Sequence, residues 1–96
     1  MKELFIPDEA RKDPDSLEVL RVWIANRQQH VTLNIGVWRD PAIWGIFLVD
    51  LARHLANAYQ QESGMDFNKT LARIKDGFYA EMNSPTDSPR GNLREN

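Results

Sequence analysis

Two neighbouring stretches of the chain alternate apolar and polar residues with a period of two. In residues 17–26, Leu20, Val22 and Ile24 fall on one side of an extended strand, and the other side carries Val19, Arg21, Trp23 and Ala25. After a polar break at residues 27–29, the alternation resumes at His30 and continues to Trp38. Two such runs separated by a few polar residues predict an antiparallel β-hairpin. The break contains no glycine, so the turn type stays open.

The next stretch changes to a helical period. Asp40 and Pro41 form a helix-start signal, because the carboxylate can cap the helix and proline needs no donor at the first position. Gly64 stands where a left-handed C-cap is expected. The apolar positions between them form one wide stripe: Ile43, Phe47, Leu51, Leu55, Ala58 and Tyr59. This pattern predicts a long amphipathic helix.

A second amphipathic helix is predicted after it, with Asp66 or Asn68 as its cap. Its apolar residues recur at steps of three and four: Phe67, Leu71, Ile74, Phe78 and Met82. Gly77 lies inside this helix, where we expect a neighbouring backbone or a Trp to approach closely. Pro85 prevents any continuation.

These elements predict one α+β domain over residues 17–82. Its sheet is a two- or three-stranded antiparallel sheet built on the β-hairpin, with two α-helices packed on one face in the order ββαα. Residues 1–16 form an acidic arm whose apolar run, Leu4 to Pro7, either adds an edge strand or folds across the sheet. Residues 83–96 contain one large aliphatic residue and are predicted to be a disordered tail.

Composition narrows the function classes. The 96 residues include no cysteine, which excludes disulfides and thiolate metal sites. A net charge of −2 argues against a nucleic-acid partner, and no apolar run is long enough for a membrane span. No secretory signal is visible, so we expect a cytoplasmic protein. The scattered glycines match no phosphate-binding loop, and we predict no cofactor and no metal site.

The outer face of the predicted sheet is the first candidate binding surface. The period places on it five residues that could bind a flat ligand or a partner protein: Arg21, Trp23, Thr32, Asn34 and Trp38. The alternative is that Trp23 and Trp38 are covered by the N-terminal arm or by each other across the strands.

One flank of the first helix is the second candidate. Asp50, His54 and Asn57 stand at i, i+4 and i+7, with Arg53 beside them. A carboxylate and an imidazole at this spacing could act as a general base and its orienting partner. They could also offer two metal ligands, but a third is missing. The alternative is an ordinary pair on a helix surface, and no residue is assigned as catalytic.

The incomplete sheet predicts self-association. A two-stranded hairpin is marginal in water, and its free edges are templates for pairing with another chain. Either the N-terminal run closes an edge or two copies pair edge to edge. We expect a homodimer, which is the commonest oligomer of soluble proteins.

The motifs of the hairpin and the first helix resemble a known pattern. They are residues 18–24 (EVLRVWI), 30–36 (HVTLNIG), 44–46 (WGI) and 50–54 (DLARH). Together they are similar to a small bacterial family filed as a domain of unknown function, over residues 3 to about 82. The resemblance implies a stand-alone bacterial protein and carries no activity. We therefore expect a non-enzymatic interaction or regulatory module that binds a protein or a small molecule. The alternative is a small ligand-binding domain or an enzyme using Asp50 and His54.

Overall fold

The elements follow one another in the order that the sequence predicts for its folded part. The structure, a computed structural model, describes residues 1–85 and 93–95. Its elements are α1 (Asp8–Lys12), β1 (Leu20–Ala25), β2 (Gln28–Leu33), α2 (Ala42–Ser63), α3 (Phe67–Asn83) and β3 (Leu93–Glu95). The α+β class and the ββαα order of the hairpin and the two long helices are confirmed. The chain divides into a sheet unit, residues 1–37 with β3, and a helical unit that begins at Trp38 and includes α2 and α3.

β1 and β2 form the predicted antiparallel hairpin, in a register that pairs Leu20 with Leu33 and Ala25 with Gln28. Asn26 and Arg27 connect the strands with φ angles of 53° and 61°. Two consecutive positive φ angles define a type I′ turn, whose twist matches that of the strands. The predicted break at residues 27–29 is therefore misplaced, because two of its residues already belong to β2.

β2 ends five residues before the predicted end at Trp38. The chain turns after Leu33, and the Val37 N–H donates to the Asn34 carbonyl at 3.3 Å. The alternation of apolar and polar residues continues beyond this point, but the ladder does not. The prediction of a strand up to Trp38 is wrong for this reason.

The third strand of the sheet comes from the C-terminal segment. β3 pairs with β2 in parallel, with Val31 opposite Leu93, so the strand order is β1-β2-β3. Residues 1–7 form no strand, and the arm continues into the short helix α1 instead. The predicted tail therefore contains a short strand at residues 93–95, while its residues 86–92 and 96 lie outside the described residues.

The ends of α2 follow the predicted signals. The carboxylate of Asp40, two residues before the helix, accepts the N–H of Ala42, the first helical residue, at 3.0 Å, so the helix begins one residue after Pro41. At the other end Gly64 has a φ of 69°, and its N–H donates to the Gln60 carbonyl. Glycine adopts this left-handed conformation without a steric cost, which explains why the helix stops here.

Asp66 is the N-cap of α3, which settles the choice between the two predicted caps. Its carboxylate accepts the Lys69 N–H at 3.0 Å. Gly77 has a different outcome: apart from its chain neighbours and the adjacent backbone of its own helix, a Cβ placed there would meet no described atom within 4 Å. The expected close approach of a backbone or a Trp is therefore wrong, and the structure gives no reason for glycine at this position.

α2 and α3 pack against each other. Ala56 of α2 and Thr70 of α3 are the two buried residues in the described part of the chain. Because these side chains are small, the two helix axes can approach closely at this contact. The packing of both helices on one face of the sheet stays a prediction.

Candidate functional site

The hairpin register brings four of the five predicted surface residues to one face of the sheet. Arg21 lies opposite Thr32, and Trp23 lies next along β1 on the same face. Asn34 extends this face beyond β2, since its N–H donates to the Val19 carbonyl at 3.0 Å. We call these residues, Arg21, Trp23, Thr32 and Asn34, the outer face. Trp23 is half-buried there.

Trp38 lies beyond the end of β2. It belongs to the helical unit, where its ring lies 4.9 Å from that of Trp44 and 5.9 Å from that of Phe47. The rings of Trp38 and Trp44 meet edge to face, a favourable arrangement for aromatic pairs. The prediction that Trp38 is a strand residue of the sheet is wrong, because β2 ends at Leu33.

His30 lies on the same side of the sheet as the outer face, two residues after the start of β2, whereas the predicted second strand begins at His30. It pairs with Trp23 across the strands, and its Nε2 lies 3.1 Å from the Ala25 carbonyl oxygen. Among residues other than glycine, asparagine is one of the types that most often adopt a positive φ. Asn26 was therefore the sequence signal that could have placed the turn at residues 26–27 and His30 inside β2.

Arg21 is held by two carboxylates. Its Nε donates to Glu18 Oε2 at 3.0 Å, and its Nη1 donates to Glu3 Oε2 at 3.2 Å. The hydrogen bond and charge of Glu18 raise the pKa of Arg21 above its ordinary value, and Glu3 adds to this. The guanidinium carbon also lies 6.0 Å from the centre of the Trp23 ring. The contact with Glu3 ties the N-terminal arm to β1.

A cleft of about 370 Å³ lies between the arm and the outer strand β1. The arm contributes residues 2–7 and Ala10, and the other wall is formed by Glu18 and residues 20–23. Its apolar lining includes Leu4 and Phe5, which are 94% and 84% exposed. We call this space the β1 cleft.

The backbone of β1 presents hydrogen-bonding groups toward its free edge. In an antiparallel ladder, hydrogen-bonded pairs alternate with non-hydrogen-bonded pairs. Val19 and Asn34 form a hydrogen-bonded pair, so the pairs that Arg21 and Trp23 form with β2 are hydrogen-bonded as well. Leu20, Val22 and Ile24 then direct their N–H and C=O groups away from β2. β1 is an edge strand, which leaves these groups without a strand partner in the described sheet.

The residues of the helix flank do not form a site with one another. Asp50, Arg53, His54 and Asn57 all lie exposed on α2. In the part of the chain that the structure describes, the side chains of Asp50 and His54 make no hydrogen bond or ion pair. Within residues 1–85 and 93–95 there is also no group of three potential metal ligands.

None of the helices described combines the necessary length with enough apolar character to cross a membrane.

Comparisons with known proteins agree with the sequence resemblance. A family model described as a domain of unknown function, DUF5076, matches residues 3–86. A solved structure described as that of "a putative pyruvate dehydrogenase from the photosynthetic bacterium Rhodopseudomonas palustrus CGA009" is similar over 94% of this chain and 92% of that one. The two share 33% of their residues, and the TM-score is 0.73. No curated protein matches the chain.

Proposed function

The chain belongs to the DUF5076 family, and we propose that it is a non-enzymatic interaction module that binds an extended segment of a partner protein along the free edge of β1. Family membership carries no activity, so the proposal rests on the geometry of the site. The neighbouring structure's description names an oxidoreductase, but a shared fold hosts many activities and does not transfer one.

The observation that supports this proposal is the unpaired edge of β1 beside an apolar cleft. Leu20, Val22 and Ile24 offer alternate N–H and C=O groups at a spacing that an added strand can match. The β1 cleft supplies room for side chains next to this edge. Main-chain bonds give such complexes their affinity, and the adjacent pockets give them specificity.

The charges of the β1 cleft indicate which segment it would accept. Arg21 is already paired with Glu18 and Glu3, so its charge is neutralised from within the chain. The apolar lining, with Leu4, Phe5 and Trp23, favours a partner segment with aliphatic or aromatic residues at alternate positions. We therefore expect a partner segment without a strict requirement for charge.

Phage-displayed random dodecapeptides selected against the full chain test this proposal. The selected peptides are then titrated into ¹⁵N-labelled protein, and we expect the largest amide shifts at Leu20, Val22 and Ile24. Failure to select any peptide, or shifts concentrated on the exposed flank of α2, contradicts the proposal.

A matched pair of substitutions at Val22 separates the main-chain contact from the side-chain contact. Val22→Pro removes an N–H that points away from β2, and proline is tolerated at such an edge position. We expect it to weaken peptide binding at least about tenfold. Val22→Ala keeps the N–H and is expected to bind within about threefold of the wild type. Equal losses in both variants would exclude strand addition.

A further inference from the structure

The first seven residues of the N-terminal arm lie beside β1 without pairing with it. They form no helix and no strand, and residues 2–7 line one wall of the β1 cleft. The opposite wall includes Leu20 and Val22, two of the residues whose backbone groups face the free edge. We call residues 1–7 the strap. The β1 cleft has both of its walls only while the strap stays beside β1.

One ion pair joins the strap to β1. Among the described residues it is the only hydrogen bond or ion pair between the two, and it runs from Arg21 Nη1 to Glu3 Oε2 at 3.2 Å. The other end of the strap is tied to α1, because Arg11 Nη2 donates to the Ile6 carbonyl at 3.3 Å. Breaking the pair of Glu3 and Arg21 therefore frees the strap from β1 but leaves it attached at α1.

Apolar packing adds little to the attachment of the strap. Leu4 and Phe5 are nearly fully exposed, so almost none of their surface is buried against β1. Ile6 is also more than half exposed. Burial stabilises in proportion to the apolar area removed from water, and here that area is small. The ion pair is therefore the main contact that keeps the strap at β1.

Glu18 orients Arg21 for this contact. Its Oε2 accepts from Arg21 Nε at 3.0 Å, while Arg21 Nη1 donates to Glu3. When the contact with Glu3 breaks, the guanidinium keeps Glu18 as its partner, so release of the strap leaves no isolated cation. The side chains of Arg21 and Glu3 are 42% and 57% exposed. An exposed ion pair shifts an equilibrium by up to about fivefold, so the attached and released states of the strap are close in free energy.

We propose that the strap is an electrostatic latch of the β1 cleft: the ion pair of Glu3 and Arg21 closes the cleft, and its rupture releases residues 1–7 and removes one wall. Ionic strength then sets the fraction of closed clefts, because salt weakens exposed ion pairs. The latch is a property of the free chain and does not rest on strand addition. A segment bound in the cleft would contact Leu4 and Phe5 only in the closed state.

Paramagnetic relaxation reports the distance of the strap from β1 in the full chain. The sequence contains no cysteine, so Lys2→Cys carries a single nitroxide label on the strap. We expect this label to enhance the relaxation of the Leu20 and Val22 amides. Adding Glu3→Lys should lower these enhancements at least about twofold, because the attraction to Arg21 becomes a repulsion.

Glu9→Lys is the matched control, because it makes the same change of charge on α1. We expect it to leave the enhancements unchanged, and equal losses in Glu3→Lys and Glu9→Lys would overturn the proposal.

Salt gives a second signature of the latch. At about 1 M ionic strength, where the Debye length is about 3 Å, we expect the enhancements to fall in the labelled chain that retains Glu3 and to rise in Glu3→Lys. The reason is that salt screens an attraction in the first chain and a repulsion in the second. The same response in both chains would also overturn the latch. Neither measurement uses a partner, so a failed peptide selection contradicts strand addition alone.

Discussion

Arg27 adopts a left-handed backbone conformation, with a φ of 61°. An L-residue with a Cβ pays roughly 1–2 kcal/mol for this conformation, while glycine adopts it freely. Because glycine also has more entropy to lose on folding, we expect Arg27→Gly to stabilise the protein by only about 0.5–1 kcal/mol. Thermal unfolding should show a higher midpoint, by a few degrees.

An Arg27→Ala variant is the matched control for this substitution. It removes the same side chain and retains the Cβ, so we expect no gain in stability. A stabilisation of similar size in both variants would mean that the arginine side chain, and not the backbone conformation, is the cause. The turn was hard to predict because only Asn26, and not Arg27, is a residue type that favours a positive φ.

The sequence predicts the helix caps, except that two residues are possible caps at the start of α3. Asp66 and Asn68 were equal candidates at the start of α3, and the structure shows the Lys69 N–H donating to Asp66. We expect Asp66→Ala to lower the free energy of unfolding by about 1 kcal/mol, because an orphan N–H of the first turn loses its acceptor. Asn68→Ala should change it by less than about 0.5 kcal/mol. Chemical denaturation of both variants measures the difference, and equal effects would contradict the assigned cap.

Elements defined by local signals were predictable, and those defined by a distant partner were not. Asp40 and Gly64 fix the ends of α2 through bonds within a few residues of each helix end. The end of β2 depends instead on where its partner strand begins, which explains why Trp38 was misplaced. α1 is only five residues long, which is too short for a helical period to be visible in the sequence, and it has no side-chain cap. Neither signal therefore predicts it.

The outer face was predictable from a local pattern in the sequence, whereas the β1 cleft was not. Alternation alone puts Arg21 and Trp23 on one face, because the period of a strand is two. The β1 cleft could not be predicted, since it depends on the contact of Glu3 with Arg21 across 18 positions of the chain. The parallel strand β3 is equally non-local, because it returns from the far end of the chain to β2.

At the scale of the molecule, β3 links the C-terminal segment to the stability of the sheet unit alone. Thr32 and His30, the partners of Arg21 and Trp23, direct their backbone groups toward β1. Val31 and Leu33 alternate with them along β2 and therefore direct their backbone groups toward β3. Ending the chain at residue 90 removes these partners and leaves a two-stranded hairpin, which is marginal by itself. We expect the amides of Val31 and Leu33 to exchange with solvent deuterium at least about tenfold faster. Amides in the middle of α2, such as that of Ala56, belong to the other unit and should keep their protection. Unchanged exchange at Val31 and Leu33 would show that β3 does not pair with β2 in solution.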